Sequence, residues 1–379
     1  MADLRVSGAR DVHGELVEVT ILDGLVAATA PSVATVGPDL PAYDAGGLTV
    51  LPGLVDLQVN GVAGIDLTLE PERLWELAAA LPRFGVTAFL PTVITSAPAA
   101  RDRALRTLAE GPPDGWVGAE PLGLHFEGPM ISPHRLGAHP EQWLRPPARD
   151  LVADWSLDAG VTMVTIAPEL PGALDVIATL VERGIVVAVG HTEASAAQVH
   201  AAADRGATHA THLGNAMASL AGRDPGPVGA TLADDRLTAG VIADGHHLHP
   251  DTLAVFRRAL GPDRMLAVTD CTAALGLPDG AARLGDQHVQ VREGTVRLED
   301  GTLAGSAADL PQCLRVLRSD AGLALPAAVA TCTSVAASVI GDPARGRIAA
   351  GARGDLTLVD DDLAVVATVV AGRVVLGGA

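Results

Sequence analysis

A (β/α)8 TIM barrel carrying a small β-sandwich built from both ends of the chain is the α/β fold class this sequence predicts. Three observations predict it. First, residues 186–217 read strand, helix, strand: an apolar run Val186-Val187-Ala188-Val189 stops at Gly190-His191, and a second run stops at His212. The two histidines are 21 residues apart, about one βα repeat. Second, other apolar runs along the middle of the chain also stop at a polar residue, as strands do when their ends share the open face of a barrel. Third, the first fifty and last forty residues alternate short β-like runs with turns, and neither end could bury a face alone. The expected limits are 1–50 and 343–379 for the sandwich and 51–342 for the barrel.

Taken in order, Leu16-Val17-Glu18-Val19-Thr20-Ile21 and Leu25-Val26-Ala27 flank Asp23-Gly24, a hairpin signal. Pro52-Gly53 punctuates the entry to a first barrel strand over Leu54 to Val59. Alternation puts Asp56, Gln58 and Asn60 on one polar face, unusual for a strand that only packs. Helical periodicity follows from Leu74 to Leu81 and near Ala99 to Glu110, with a strand at Val86 to Leu90 between them. The next strand closes on His125-Phe126-Glu127, where Gly128-Pro129 turns the chain. The polar stretch Ser132 to Arg145, with His134 and His139, has the length of a lid or substrate loop. Strands follow at Val161 to Glu169, at 186–189, at Ala207 to His212, from Gly240 into the histidine cluster that ends at His249, and from Met265 to Asp270, which ends its strand. Residues 276–304 read as an inserted hairpin excursion, followed by helices near Leu310 to Arg318 and Ala327 to Val339.

At 379 residues the chain has room for a barrel and a smaller domain. Hydrophobic residues make up 48% and aromatic residues 2%, so the core must be mostly aliphatic. The net charge of −19 argues against nucleic acid or an anionic membrane as partner. All 26 basic residues are arginine, which excludes a Schiff-base lysine and a carbamylated lysine bridging two metals. Three scattered cysteines make no disulfide framework. No apolar run has membrane-spanning length and no basic-then-apolar leader is seen, so the expected location is cytoplasmic.

Glu127, His191, His212 and Asp270 thus fall at the ends of four candidate strands. A carboxylate and two imidazoles suit Zn²⁺ or Fe²⁺ with a water position left open, and a further aspartate beside that water can move its proton. Each residue alone would more often be structural: a hydrogen-bonded strand-end histidine or a loop carboxylate. His209 and His125 are read as packed residues facing away from the site, and His246 and His249 are left unassigned.

The motifs Pro52-Gly53-Leu54-Val55-Asp56, Gly123-Leu124-His125-Phe126-Glu127-Gly128-Pro129, Val189-Gly190-His191-Thr192, Thr211-His212-Leu213-Gly214-Asn215-Ala216-Met217, Gly222-Arg223-Asp224-Pro225-Gly226, Ala243-Asp244-Gly245, Val268-Thr269-Asp270 and Gly301-Thr302-Leu303-Ala304-Gly305-Ser306 run in order over nearly the whole chain. In this the sequence resembles the N-acetylglucosamine-6-phosphate deacetylases of the amidohydrolase superfamily. The resemblance implies a homodimer that hydrolyses the acetamide of N-acetylglucosamine 6-phosphate to glucosamine 6-phosphate and acetate. It implies Glu127, His191 and His212 as metal ligands and Asp270 as catalytic acid and base. Ala138, His139, Asn215, Ala216, Arg223, His247, Leu303, Ala304 and Gly305 match substrate contacts. Arg223 offers a planar fork to a phosphate, and Asn215-Ala216 is read as opening a helix whose dipole favours an anion.

Two departures from the family pattern stand out. Gln58-Val59-Asn60 replaces the His-x-His many relatives carry on the first strand, so Gln58 and Asn60 are expected to bond a bound water. With no lysine to carbamylate, one divalent metal per chain is expected: Zn²⁺, with Fe²⁺, Mn²⁺ or Co²⁺ as alternatives. Gly214 stands where an aromatic residue often precedes Asn-Ala-Met, and a looser sugar pocket is expected from it. The rival readings are a deacetylase for the galactosamine epimer and a catalytically silent sugar-phosphate binding protein.

Overall fold

The computed structural model describes residues 2–31, 40–284, 287–292 and 294–376, so part of each expected β-rich end lies outside the described residues. Eight parallel strands form the expected barrel: β1 (Leu54–Val59), β2 (Val86–Ile94), β3 (Leu124–Glu127), β4 (Val161–Ile166), β5 (Val186–Val189), β6 (His209–Ala210), β7 (Thr238–Ile242) and β8 (Met265–Val268). Each pairs with the next in chain order. Closure between β8 and β1 comes just past their ends, where the Asn60 amide donates to the Cys271 carbonyl at 2.8 Å. Asp56 adds to it from within β1, accepting from the Thr269 amide and hydroxyl. Aliphatic clusters fill the space between strands and helices, as the scarcity of aromatic residues requires; Phe89 and Phe126 are the bulkiest fully buried side chains.

The ends of the chain meet in one eight-stranded sheet. Leu4–Arg10, Leu16–Leu22, Leu25–Pro31 and Thr49–Pro52 join Leu356–Val359, Val365–Val370 and Arg373–Leu376, with Ala42–Asp44 on the side of Leu4–Arg10. A core shared by both ends backs this sheet, including Val6, Val19, Ile21, Leu356, Leu358 and Val369. The Asp23-Gly24 hairpin is present: Leu22 pairs with Leu25, and both turn residues have positive φ, which a two-residue hairpin turn demands. Arg345 clamps this sheet to the barrel. Its guanidinium lies 2.7 Å from Glu120, 2.9 Å from Asp342 and 2.7 Å from Asp355, and Arg353 bonds the first and last of these.

The excursion after β8 is a four-stranded antiparallel sheet, Gly280–Leu284, Gln287–Arg292, Thr295–Arg297 and Leu303–Ser306. The helix expected over 327–339 is two, Leu325–Thr331 and Ser334–Val339, because Thr333 leaves helical geometry at φ −136°, ψ −93°. The strand expected over 207–212 keeps ladder geometry only at His209–Ala210. Among the described residues no helix is long and apolar enough to cross a membrane.

Candidate active site

Glu127, His191, His212 and Asp270 converge at the mouth of the barrel. Glu127 ends β3, and the other three follow the last residues of β5, β6 and β8. The alternation of a strand would point some of these side chains away, and the backbone corrects it. His191, His212 and Asp270 all adopt left-handed φ, at 48°, 30° and 50°. For residues with a Cβ that conformation costs about 1–2 kcal/mol each and is concentrated at functional sites. Gly190 makes the bend before His191 feasible: a Cβ there would fall 2.6 Å from Thr165 Cγ2 and 2.9 Å from Thr211 Cβ.

His191 Nε2 lies 3.1 Å from Glu127 Oε1, His212 Nε2 lies 2.9 Å from the same oxygen, and the two nitrogens are 3.1 Å apart. Ligand atoms about 2.0–2.1 Å from a tetrahedral ion stand roughly 3.3 Å from one another. The triangle therefore has the spacing of a ligand shell for a divalent cation. The tautomer agrees. His191 donates from Nδ1 to the Arg135 carbonyl at 2.8 Å, which leaves a lone pair on Nε2. His212 Nδ1 is buried without a partner, so only what faces Nε2 sets its tautomer.

Glu127, His139 and His191 also bring ligand atoms within 4.8 Å of one another. The His212 triangle is tighter, and His139 faces the site differently. Its Nδ1 lies 3.4 Å from the Thr95 amide N–H and 2.8 Å from the Thr95 hydroxyl. Accepting from that amide places the ring proton on Nε2, 3.9 Å from Glu127 Oε2. His139 thus presents a donor to the cavity.

Burial opposes charge on Glu127, but the His191 and His212 rings hold its carboxyl well below the usual range. His212 is raised in return: burial would lower it, and its bond to Glu127 prevails. Asp270 is pushed up to about 6, first by burial and then by the charge of Glu127. Its Oδ1 accepts from Asn60 Nδ2 at 2.7 Å and Gln58 Nε2 at 3.0 Å; Gln58 also donates to Glu127 at 3.2 Å. The two first-strand amides therefore bond carboxylates directly. Burial lowers the His139 ring to about 3.

Glu127, His139, His191, His212, Asp270 and Asn60, but not Gln58, line a cavity of 360 Å³. Ala138 and His139 come from the loop after β3, which is docked by the Ser132 amide on the His191 carbonyl. Asn215, Ala216 and His247 form another wall; His247 Nδ1 is held 2.7 Å from Asp244. Leu303, Ala304 and Gly305 form a third, fixed by the Ser306 amide on the Asp270 carbonyl. Gly305 has φ 76°, and a Cβ there would meet Thr272 and the Asp270 carbonyl inside 3.0 Å. His134 and Arg135 also line the cavity. The role of Arg135 is carried by a carbonyl, which has no signature in sequence.

Arg223 lies on an exposed turn, outside the lining of the chain's own cavity. Three expectations change. Asn215-Ala216 opens no helix: the next one begins at Gly226, and Ala216 has φ 48°. Gly214 does not loosen the sugar side, because a Cβ there would face Leu248 and Phe256 at 3.3 Å, in the core. His125 shares a strand face with Glu127, two residues on, instead of facing away. It sits deeper, bonded to Thr165 at 2.8 Å, with burial lowering its ring to about 4. His209 is packed as expected, bonded to Thr238. His249 caps the helix starting at Pro250 and His246 is exposed.

Residues 49–375 match the Amidohydrolase family. The N-acetylglucosamine-6-phosphate deacetylase of Bacillus subtilis (strain 168) is 35% identical over 332 residues, covering 86% of this chain and 84% of that protein. The Homo sapiens protein of that name is 38% identical over 351 residues, covering 88% and 84%. Among solved structures, a mutant N-acetyl-D-glucosamine-6-phosphate deacetylase from Mycobacterium smegmatis in complex with N-acetyl-D-glucosamine-6-phosphate superposes with a TM-score of 0.90. It is 36% identical and covers 99% of this chain and 100% of its own. The Pasteurella multocida deacetylase gives 0.91 at 29% identity, covering 98% and 99%.

Proposed function

We propose, from the premise that this chain belongs to the amidohydrolase family and within it to the N-acetylglucosamine-6-phosphate deacetylases, that it hydrolyses the acetamide of N-acetyl-D-glucosamine 6-phosphate. The products are D-glucosamine 6-phosphate and acetate, a step of amino-sugar catabolism or cell-wall recycling. The observation that carries the reading is the convergence of Glu127 Oε1, His191 Nε2 and His212 Nε2 within 3.1 Å of one another, beside Asp270.

In this reading Glu127, His191 and His212 hold one divalent metal per chain, Zn²⁺ in preference to Fe²⁺, Mn²⁺ or Co²⁺. When bound, the metal supplies Lewis acidity toward water and the amide carbonyl. Asp270 takes the proton of the attacking water and returns it to the leaving nitrogen. Gln58 and Asn60 occupy its Oδ1, so Oδ2 is the oxygen left for that traffic. His139 donates a hydrogen bond from its Nε2–H to an oxygen of the substrate. Ala138 and the Leu303, Ala304 and Gly305 segment contact the sugar, and Asn215, Ala216 and His247 its polar groups.

Arg223 pairs with the phosphate. Because it is absent from the chain's own cavity wall, it must swing in or be supplied across the homodimer, which is also part of this reading. So are a cytoplasmic location and the domain limits 1–50, 51–342 and 343–379; the strand Thr49–Pro52 straddles the first limit.

Acetate release from N-acetylglucosamine 6-phosphate by metal-loaded protein tests the proposal, with the galactosamine epimer and the unphosphorylated sugar alongside. No acetate from any of the three would overturn it.

A further inference from the structure

On β2, Thr92 faces the barrel interior, where its hydroxyl meets His125. Val93 packs the other way, in the cluster that includes Ala100 and Ala104 of the helix Pro98–Glu110. Alternation therefore turns Ile94, the last residue of β2, inward. Its register partner on β3 is Glu127, whose side chain also points inward. Neighbouring strands stand about 5 Å apart, so Ile94 sits directly beside Glu127 at the barrel mouth.

Ile94 is 3% exposed and lines the main cavity. It packs in one cluster with Ala138, Leu284 and Ala304, which line the cavity too. Leu284 ends the strand Gly280–Leu284, and Ala304 lies in Leu303–Ser306. That second strand is tied to Asp270 by the Ser306 amide, at 2.9 Å from the Asp270 carbonyl. The cluster thus makes an apolar corner reaching from Glu127 to Asp270. Ile242 also lines the cavity but belongs to the cluster that fills the barrel interior. N-acetylglucosamine 6-phosphate carries hydroxyls and a phosphate over most of its surface, and its one methyl group is the acyl end of the amide. A methyl group set against polar side chains would leave them unpaired, whereas an aliphatic wall matches it.

We propose that Ile94 and Leu284 form the acyl pocket of this site and set the length of the acyl group removed, with Ala138 and Ala304 at the edge where the amide joins the sugar. This rests on the deacetylase reading above. The nitrogen then carries the sugar toward Asn215 and His247. The reaction is the same for any acyl length: water gives its hydroxyl to the acyl carbon and its proton to the nitrogen as the C–N bond breaks. Ile94 fills the space that a further methylene needs, so acetyl is favoured over propionyl.

The test is kcat/KM for N-acetyl- and N-propionylglucosamine 6-phosphate, read as acetate and propionate released by metal-loaded protein. Both are measured on one preparation, so any misfolded fraction cancels from their ratio. One methylene in an apolar pocket is worth roughly 10–200-fold, and wild type is expected to favour acetyl by that much. Ile94→Ala should narrow the preference roughly 10-fold or more, the same scale reversed. Ile94→Val should fall between it and wild type, and Leu284→Ala should move the ratio the same way. If Ile94→Ala releases neither acid, the other two variants carry the comparison. A wild type that takes both substrates equally, or a ratio unchanged in every active variant, overturns the pocket and leaves the deacetylase reading standing. Neither acid from wild type overturns that reading, and the pocket with it.

Discussion

The Nε2 atoms of His191 and His212 stand 3.1 Å apart and share Glu127 Oε1 as a neighbour. At that distance two imidazole lone pairs repel unless a proton or a cation lies between them. A cation held by all three atoms explains the spacing, and the expected occupancy is one metal per chain. Gln58 and Asn60, within and just past β1, give a second ion no nitrogen ligand, because an amide nitrogen has no free lone pair; their N–H groups bond Asp270 and Glu127. Metal analysis after dialysis should find one equivalent in wild type and almost none in Glu127→Ala. Two equivalents in wild type, or one retained by the variant, would sink the assignment.

Asp270→Asn should keep its metal and lose roughly 100-fold or more in turnover, the scale of a missing general base. The amide cannot take a proton from water, yet it fits the same pocket and leaves the three ligand atoms in place. Metal content and acetate release, measured on one preparation, separate the two effects. Turnover within a few-fold of wild type would remove Asp270 from the chemistry.

Much of this arrangement was legible in the sequence, for a physical reason. A buried parallel strand needs a run of apolar residues, and a polar residue at its end is conspicuous; Glu127, His191, His212 and Asp270 are all of that kind. The rest depends on features with no side-chain pattern. Nothing in the letters says that His191 and Asp270 adopt left-handed φ, because the sequence signal for that conformation is glycine. The Arg135 carbonyl that orients His191 is equally silent. The strand expected over 207–212 ends early because the chain bends just past Ala210, where His212 takes φ 30°. No helix opens at Asn215-Ala216 because Ala216 is held at φ 48°, outside right-handed helical geometry, and an alanine carries no sequence signal for that conformation.

Asn60→Ala should move the acid limb of kcat/KM to higher pH by roughly one unit. Asp270 must be ionised to act as base, so activity falls as pH drops through its pKa, already raised to about 6. Asn60 donates to that carboxylate at 2.7 Å and so favours the ionised form. A hydrogen bond to a charged group is worth about 1.5–3 kcal/mol, which corresponds to roughly one to two pH units. A bound cation lowers the limb in both proteins, so the difference between them is the quantity to measure. Superimposable pH profiles would mean that the Asn60 bond does not tune Asp270.

Arg345→Ala should destabilise the protein by about 3–5 kcal/mol, the cost of removing one partner from a buried ionic network. Arg345 is 5% exposed and holds Glu120, Asp342 and Asp355 at 2.7–2.9 Å. Its loss leaves Asp355 buried with only Arg353 as cation. Arg345→Lys keeps the charge but not the fork, and should fall between the two. Urea unfolding of the three proteins is the measurement. A loss under about 1 kcal/mol for the alanine variant would mean that the clamp contributes little to joining sheet and barrel.

Asp56→Asn should change how stability depends on pH. Asp56 is buried where β1 meets β8, and its pKa is raised to about 7, mainly by burial, against the bonds from Thr269 that favour its charge. Between about pH 4 and 7 the folded chain keeps this proton while the unfolded chain has released it. The folded state therefore binds more protons in that window, and its stability falls as pH rises through it. The raised pKa corresponds to a loss on the order of 4 kcal/mol across the window. Asparagine cannot titrate, so the variant lacks this slope. Its stability relative to wild type should rise from pH 4 to pH 7 and level off above. Both proteins should be unfolded in urea without metal, since metal affinity itself depends on pH. Parallel stability curves for the two would show that Asp56 ionises as freely in the folded protein as in the unfolded chain.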